Sequence, residues 1–255
     1  MKPVLEISHL EKHFGGVRAI DDFSVTLEHG KIHGLIGPNG AGKTTIFNNI
    51  TGIYTPDAGN IQFQGQEITG TPPHKVAQLG IGRTFQNIRL FANLSVLQNV
   101  IIASNQRATY NLPDAFLRLP KYRKKELELR EHAMGLLKIV GLEDKAEERA
   151  NSLPYGHQRK LEIARAMALE PELLLLDEPA AGMNADESLE LVEFVRYIRD
   201  SFDITILMIE HHMDVVSNLC DSVTVLNFGK TIASGTPAEV KSNQAVIDAY
   251  LGGAE

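Results

Sequence analysis

The sequence predicts an α/β fold built on a mainly parallel sheet, with an antiparallel β edge and an inserted α-helical subdomain. The chain has 255 residues, of which 43% are hydrophobic, so it is long enough to bury the core of one large domain. Residues 153–255 alternate apolar runs with amphipathic segments, which is the pattern of βαβ units. Residues 87–152 interrupt that alternation with helical spacing, which indicates an insertion.

The first third of the chain predicts short strands separated by turns of glycine, proline and aspartate. The predicted strands are Val4–Ser8, Phe23–Glu28, Ile32–Ile36 and Asn60–Gln64. A helical pattern begins near Gly42 and continues through Ile50.

The middle of the chain predicts two helices, Leu94–Ser104 and Lys121–Val140, separated by a break at Asn111–Pro113. The rest predicts helices at 157–169, 185–200 and 212–219, and strands at 172–177, 204–209 and 222–227. We therefore expect a single domain, 1–255, whose core comprises residues 1–86 and 153–255. Residues 87–152 are expected to form its helical subdomain.

Composition argues against several classes of protein. With 25 basic and 32 acidic residues, the net charge of −7 disfavours binding nucleic acid over a broad surface. The single cysteine, Cys220, excludes an internal disulfide and a cysteine-rich zinc site, and we expect it to pack near a strand. The sequence shows neither a signal peptide nor an apolar run of membrane-spanning length, so we expect a cytoplasmic protein whose membrane role depends on partners.

A phosphate-binding loop follows the predicted strand Ile32–Ile36 and opens a helix. Its residues are Gly37, Pro38, Asn39, Gly40, Ala41, Gly42, Lys43 and Thr44, with Thr45 next. They match the pattern G-x-x-x-x-G-K-[ST] in full and in the required context. Backbone N–H groups and the helix N-terminus attract phosphate oxygens, Lys43 supplies a charge, and the Thr44 hydroxyl suits Mg²⁺. The sequence therefore predicts nucleotide binding on a P-loop NTPase fold, although this loop alone does not fix the function.

Two carboxylates follow a run of four leucines, Leu173–Leu176. A buried strand that delivers acidic residues at its carboxyl end is how α/β sheets place catalytic groups. Asp177 is predicted to hold the Mg²⁺ shell, and Glu178 to act as general base on an attacking water. Solvated acids at a strand end are common too, so this interpretation depends on the phosphate loop upstream.

Together these motifs resemble the nucleotide-binding subunit of an ABC transporter, and the resemblance covers essentially the whole chain. The segment Ile81–Phe85 leads to Gln86 at the position of the family's glutamine loop. The resemblance implies that Gln86 contacts Mg²⁺ and the attacking water and senses the membrane partner. It also implies that the phosphate loop binds ATP.

The signature segment departs from the family pattern. Leu153–His157 reads Leu-Pro-Tyr-Gly-His, where the family usually has Leu-Ser-Gly-Gly-Gln. The family serine bonds the γ-phosphate across a dimer interface, whereas Pro154 has neither hydroxyl nor N–H. Tyr155 and Gly156 remain as backbone donors at a helix N-terminus. We expect a weakened half-site rather than an inactive one.

Three further positions follow from the resemblance. His211, after the strand beginning at Thr205, matches the switch histidine that bonds the γ-phosphate and orients the water, and His212 stands where an aspartate is frequent. Asn184 ends the D-loop in place of a frequent aspartate, which puts communication between the two ATP sites in doubt. Phe14 matches the aromatic residue that stacks on adenine, and the alternative is a core phenylalanine.

In this family the phosphate and signature loops meet only in a head-to-tail dimer, so a second ATPase subunit, identical or related, is implied. ATP closes the dimer and hydrolysis reopens it. The helical zone would receive a short helix of a membrane subunit. The basic residues Arg118, Lys121, Arg123, Lys124 and Lys125 face either lipid headgroups or, as the interspersed glutamates favour, solvent.

Finer features are similar to the G-type ATPase of branched-chain amino-acid import systems (Liv family). They are the stretch Gly80–Val100, the tyrosine in the signature, the segment Asp177–Asn184, and the ending from Gly235 to Gly252. This resemblance implies two membrane permease subunits, a companion ATPase, a solute-binding protein and a peripheral position on the cytoplasmic face of the inner membrane.

Other functions remain open at this point. Related importers carry amides or urea, and the lipopolysaccharide export ATPase shares the fold and the Gly-Thr-Pro ending. A non-transport ABC ATPase would need a long coiled coil or tandem domains. A kinase with the same phosphate loop would lack the signature helix and would require a phosphoacceptor.

Overall fold

The computed structural model describes residues 3–105, 116–117 and 119–251. The break predicted at Asn111–Pro113 and the basic residue Arg118 lie outside these ranges, as does the Gly252 end of the Liv-like ending. Contacts divide the chain into two compact units. The first comprises Met1–Gln86 with Glu172–Glu255, and the second comprises Asn87–Pro171.

An antiparallel sheet forms part of the first unit. Its strands are β1 (Leu5–Phe14), β2 (Val17–Leu27), β4 (Ala58–Phe63) and β5 (Gln66–Glu67), in the order β2-β1-β4-β5. β1 and β2 are longer than predicted because residues 12–14 pair with residues 17–20 across a Gly15-Gly16 turn. These strand ends mix polar with apolar residues and are only partly buried, so they lack a regular apolar alternation and the predicted strands stop short of them.

The second sheet carries the predicted parallel core. Its strands are β3 (Ile32–Ile36), β6 (Ile81–Arg83), β7 (Leu173–Asp177), β8 (Thr205–Ile209), β9 (Ser222–Asn227) and β10 (Lys230–Gly235). The order is β10-β9-β3-β8-β7-β6, with every pair parallel except β9 and β10. The predicted fold class is confirmed, and the N-terminal antiparallel strands form a sheet of their own.

Helices in the described ranges follow the predicted alternation. They are α1 (Lys43–Ile50), α2 (Pro73–Gln78), α3 (Val96–Ser104), α4 (Pro120–Ile139), α5 (Tyr155–Met167), α6 (Ala185–Phe202), α7 (Met213–Leu219), α8 (Pro237–Lys241) and α9 (Gln244–Leu251). The pattern missed α2, α8 and α9, along with β5, β6 and β10. β5 and β6 are very short, β10 has no fully buried residue, and α2 and α8 bury one residue each, so their apolar periodicity is weak.

One buried apolar cluster of the first unit includes the helix that follows the phosphate loop. Phe47 and Ile46 of α1 are fully buried, as are Leu173 and Leu175 of β7. Because strands β3, β7 and β8 are buried along their whole length, their polar termini are the places where functional side chains emerge.

The second unit is helical. α3 begins with a capping box in which Ser95 and Gln98 exchange side-chain and backbone hydrogen bonds. Short 3₁₀ turns at Glu143–Lys145 and Ala150–Ser152 lead from α4 to α5. The unit extends beyond residue 152, the boundary expected from the sequence, because α5 packs against α3 and α4. In the ranges that the structure describes, no helix has the length and apolar character to cross a bilayer.

Candidate active site

Four neighbouring strands of the parallel sheet end at one edge, in the order β3-β8-β7-β6. The phosphate loop follows β3, and His211 follows β8 after one intervening residue. Asp177 ends β7, Glu178 comes directly after it, and Gln86 lies three residues beyond β6. Since carboxyl ends of parallel strands are where α/β proteins bind ligands, the topology places all these segments at one candidate site.

Two glycines fix the shape of the phosphate loop. Gly37 has a φ of 148°, and a Cβ there would lie 2.1 Å from the Leu226 carbonyl oxygen of β9. Gly42 has a φ of 105°, and its Cβ would lie 2.5 Å from the Ala19 oxygen. The loop is therefore held against β9 and β2 at spacings that only glycine allows.

Lys43 lies inside the curl of the loop. Its Nζ donates hydrogen bonds to the carbonyl oxygens of Gly37 (2.6 Å) and Pro38 (2.9 Å). Burial lowers the pKa of the Lys43 ammonium, while the nearby carboxylates, Glu178 first, act in the opposite direction. The site thus places a cation beside several anions, which suits binding of the charged phosphates of a nucleotide.

A cavity of about 280 Å³ opens on this loop. Its lining comprises Ala19, Asn39, Gly40, Ala41, Gly42, Lys43, Thr44, Thr45, Gln86 and Glu178. Within it, Gln86 Nε2 donates a hydrogen bond of 2.9 Å to Glu178 Oε2. The structure therefore brings the predicted base and the predicted glutamine into direct contact beside the phosphate loop.

Asp177 lies deeper than this cavity. It is only 2% exposed, and its backbone N–H donates to the Thr84 hydroxyl at 3.2 Å. Its Oδ2 accepts a hydrogen bond of 3.1 Å from Arg83 Nη2, within a buried ion pair. Sequence reasoning missed Arg83. The signal that could have indicated it is its charge, which is unusual in the short segment that begins at Ile81.

The donor set fits magnesium. Thr44 offers an exposed hydroxyl, Asp177 a carboxylate and Gln86 an amide, and Mg²⁺ prefers hard oxygen ligands of these types. Lys43 and the loop would hold the phosphates that complete such a site. The arrangement is thus suited to a nucleoside triphosphate bound together with a divalent cation.

The segment of His211 and His212 is held in place by Glu210, a second residue that sequence reasoning missed. Glu210 is fully buried, and its Oε1 accepts backbone hydrogen bonds from His211 (2.8 Å) and His212 (3.2 Å). The His212 ring lies 2.9 Å from the same oxygen. The side chain of His211 is 45% exposed, so it can reach a ligand at the sheet edge. An acid directly after an apolar strand was the available signal, as it was for Asp177.

Phe14 lies at the tip of β1 and is 42% exposed. Its ring meets Tyr54 edge-on, with centroids 5.1 Å apart. The core-phenylalanine alternative is therefore wrong. An exposed ring is available for stacking, and adenine binding there stays a prediction.

The signature segment belongs to the second unit, where Pro154 is the N-cap of α5, with φ −54° and ψ 153°. Tyr155, 46% exposed, begins the helix, followed by Gly156. The first N–H groups of a helix lack intrahelical acceptors, so this end offers donors to an anion. In the first unit, Asn184 caps α6 through a capping box with Glu187.

Comparison with known proteins supports this assignment of motifs. Residues 20–181 match the family model described as ABC transporter. Residues 230–255 match the model described as branched-chain amino acid ATP-binding cassette transporter. The chain is similar to the high-affinity branched-chain amino acid transport ATP-binding proteins BraF of Pseudomonas aeruginosa and LivG of Escherichia coli K12. Each is 42% identical over 98% of this chain and 98% of its own length.

Solved structures of ABC transporter proteins are similar to this chain over nearly its whole length. The ADP conformation of MJ1267, an ATP-binding cassette of an ABC transporter, superposes with a TM-score of 0.86 at 31% identity, covering 99% of this chain and 100% of that one. The cbiO1 protein of Clostridium perfringens, part of the ABC transporter complex cbiONQ, gives a TM-score of 0.80 at 27% identity, covering 100% of this chain and 96% of that one. The resemblance inferred from the motifs is thereby confirmed, and the chain belongs to the ABC transporter family as an ATP-binding, ATP-hydrolysing member.

Proposed function

We propose that this chain is the ATP-hydrolysing subunit of an ABC importer for branched-chain amino acids. The observation that carries the solute class is the match of residues 230–255 to the branched-chain model, beyond the general ABC match. BraF and LivG, similar over nearly the whole chain, support the same class.

Nucleotide binding would use the phosphate loop and the exposed ring of Phe14. The loop's N–H groups and the N-terminus of α1 bind the phosphates, and Lys43 adds a charge as it exchanges its carbonyl partners for phosphate oxygens. Thr44, Asp177 and Gln86 would hold Mg²⁺, which neutralises charge that develops on the phosphates. Phe14 would stack on the adenine.

Hydrolysis would depend on Glu178 as general base. The 2.9 Å hydrogen bond from Gln86 to its carboxylate supports this proposal, in which the two side chains would orient one water together. His211, fixed by the buried Glu210, would bond the γ-phosphate from the next strand. Such a site works mainly by positioning and charge stabilisation.

Closure of the site would need a second ATPase subunit, either another copy or a companion. The N-terminus of α5, with Tyr155 and Gly156, would face the γ-phosphate bound by that partner. Pro154 supplies no hydroxyl there, so we expect each such half-site to be weaker than one with serine.

The other partners would be two membrane permease subunits and, indirectly, a solute-binding protein. The chain would then be a peripheral protein on the cytoplasmic face of the cell membrane. The helical second unit would receive a short helix of a permease subunit. ATP-driven closure of the ATPase dimer would be the motion passed to the permeases.

The test is uptake of labelled leucine in cells that lack other leucine importers. The chromosomal copy is replaced by wild type, by Glu178→Gln, or by the control Glu193→Gln, which changes an exposed glutamate of α6. We expect uptake with wild type and with the control but not with Glu178→Gln, although all three proteins bind ATP. Leucine uptake that is unaffected by Glu178→Gln would refute the proposal. Labelled urea and acetamide uptake in the same strains would then test the related importers.

A further inference from the structure

We propose that Arg83 is a positioning residue for the reaction: its guanidinium holds Asp177 in the orientation that receives the magnesium ion of MgATP. The inference deepens the proposed function and rests on it. It concerns a residue that does not line the phosphate-loop cavity and does not belong to the phosphate loop or to the acid pair.

The guanidinium joins two elements of the site. Its Nη2 donates to Asp177 Oδ2 at 3.1 Å, at the end of β7. Its Nη1 donates to Asn48 Oδ1 at 2.8 Å and to Thr51 Oγ1 at 3.1 Å, at the end of the phosphate-loop helix α1. Only a planar group with several divergent donors makes these contacts at once, so a lysine ammonium is a poor substitute.

Two aromatic rings fix the position of the guanidinium. Its Cζ lies 5.4 Å from the centroid of Phe47 and 4.9 Å from that of Phe85. Phe47 belongs to α1, and Phe85 directly precedes Gln86. Arg83 therefore contacts the helix of the phosphate loop, the metal carboxylate and the residue that leads to the glutamine.

Burial makes this arrangement rigid. The side chain of Arg83 is 7% exposed and that of Asp177 is 3% exposed. Oδ2 is engaged by the guanidinium, and the Asp177 backbone is fixed by Thr84 and by the pairing of β7 with β8. The orientation of the Asp177 carboxylate is thus set before any ligand binds.

A purely stabilising role explains this pair poorly. Buried ion pairs commonly contribute little to stability, because desolvation offsets the attraction. Groups that hydrogen-bond to a metal-binding carboxylate orient it, and their loss typically weakens metal affinity or activity by about 10–100-fold. The position of Arg83 behind Asp177 is that of such a group.

The experiment compares ATP binding to the full chain with and without magnesium. The dissociation constant of ATP is measured in Mg²⁺ and in EDTA for wild type, Arg83→Lys and the control Arg199→Lys. Arg199 also bonds a carboxylate, Asp200, but lies on α6. We expect Arg83→Lys to reduce the gain in affinity that Mg²⁺ provides by about 10-fold or more. Its ATP affinity in EDTA should match wild type, and the control should match wild type in both solutions.

Two results would overturn the inference. One is a full magnesium-dependent gain in Arg83→Lys, and the other is an equal loss of affinity in Mg²⁺ and in EDTA, which a general distortion would produce. If Arg83→Lys does not fold, Asn48→Leu decides, because it removes one anchor of the guanidinium and should cause a smaller loss in the same direction. Wild-type protein that binds no ATP would refute the proposed function itself, so the two failures are distinguishable.

Discussion

Replacing Pro154 by serine should strengthen the half-site that we propose at the N-terminus of α5. Pro154 is the N-cap of α5 and already has the extended conformation that serine adopts at N-caps, so Pro154→Ser requires no backbone shift. A serine hydroxyl carries one donor and two acceptor lone pairs. It can therefore accept from an N–H of the first turn of α5 and donate to a γ-phosphate on the partner subunit at once.

The two bonds have different magnitudes and different readouts. Compared with alanine at this position, the serine cap should raise the free energy of unfolding by about 1 kcal/mol, and this gain needs no nucleotide. The hydrogen bond to phosphate is charge-assisted and contributes about 1.5–3 kcal/mol. That energy corresponds to roughly 10- to 150-fold in the association constant for each such bond, and a dimer of two copies of this chain gains two of them. Turnover should rise by less, since only the part of the bond gained in the transition state accelerates hydrolysis.

The assay measures dimer dissociation constants by sedimentation in MgATP, in a Glu178→Gln background that prevents hydrolysis. Pro154→Ala is the matched control, because it removes the same ring without adding a hydroxyl. We expect Pro154→Ser to associate more tightly than Pro154→Ala, and only in ATP. Equal association of the two variants would show that this position does not face phosphate.

Three further predictions concern the first unit. Glu178→Gln should slow steady-state ATP hydrolysis by about 10²–10⁴-fold, because the water loses its base, while ATP affinity is retained. Gly37→Ala should abolish measurable ATP binding in calorimetry, because its Cβ would lie 2.1 Å from the Leu226 oxygen. Burial lowers the pKa of the His33 imidazole to about 4, from an ordinary value near 6.5. Between these values the unfolded chain binds a proton that the folded chain does not. The free energy of unfolding therefore decreases as the pH is lowered through this window, by about 3 kcal/mol at its lower end.

Each has a control. Hydrolysis that is unchanged in Glu178→Gln would assign the base elsewhere. Gly16→Ala, where an added Cβ meets no atom within 4 Å, should bind ATP normally. For His33, urea unfolding from pH 7 to pH 5 should show a shallower loss of stability in His33→Gln than in wild type. Parallel curves would mean that this imidazole does not couple to folding.

The sequence predicted most accurately where one physical signal dominates. The bounds of β3, Ile32–Ile36, and of β9, Ser222–Asn227, were predicted correctly because both are mostly buried strands. The phosphate loop was readable because its glycines and lysine are required by local backbone geometry. Elements with mixed burial, such as the outer half of β1, carried no such signal.

The site was predicted less completely. Glu178 and Gln86 follow from motifs, but their mutual hydrogen bond depends on the register of β6, β7 and β8. Arg83 bonds Asp177 and Glu210 bonds Ala180, both far away in the chain, and sequence spacing does not encode such contacts. Long-range pairing therefore accounts for most of what the motifs could not show.

Glu210 links two segments that lie on neighbouring strands. One oxygen of its carboxylate accepts the backbone N–H groups of His211 and His212, and the other accepts that of Ala180, at 3.3 Å. The histidine segment and the segment that begins at Ala180 are thus tied to the same rigid, fully buried group. A displacement of either one must break these bonds or carry the other with it. The carboxylate therefore couples the histidine segment mechanically to the turn before α6, so that the two are held as a single part.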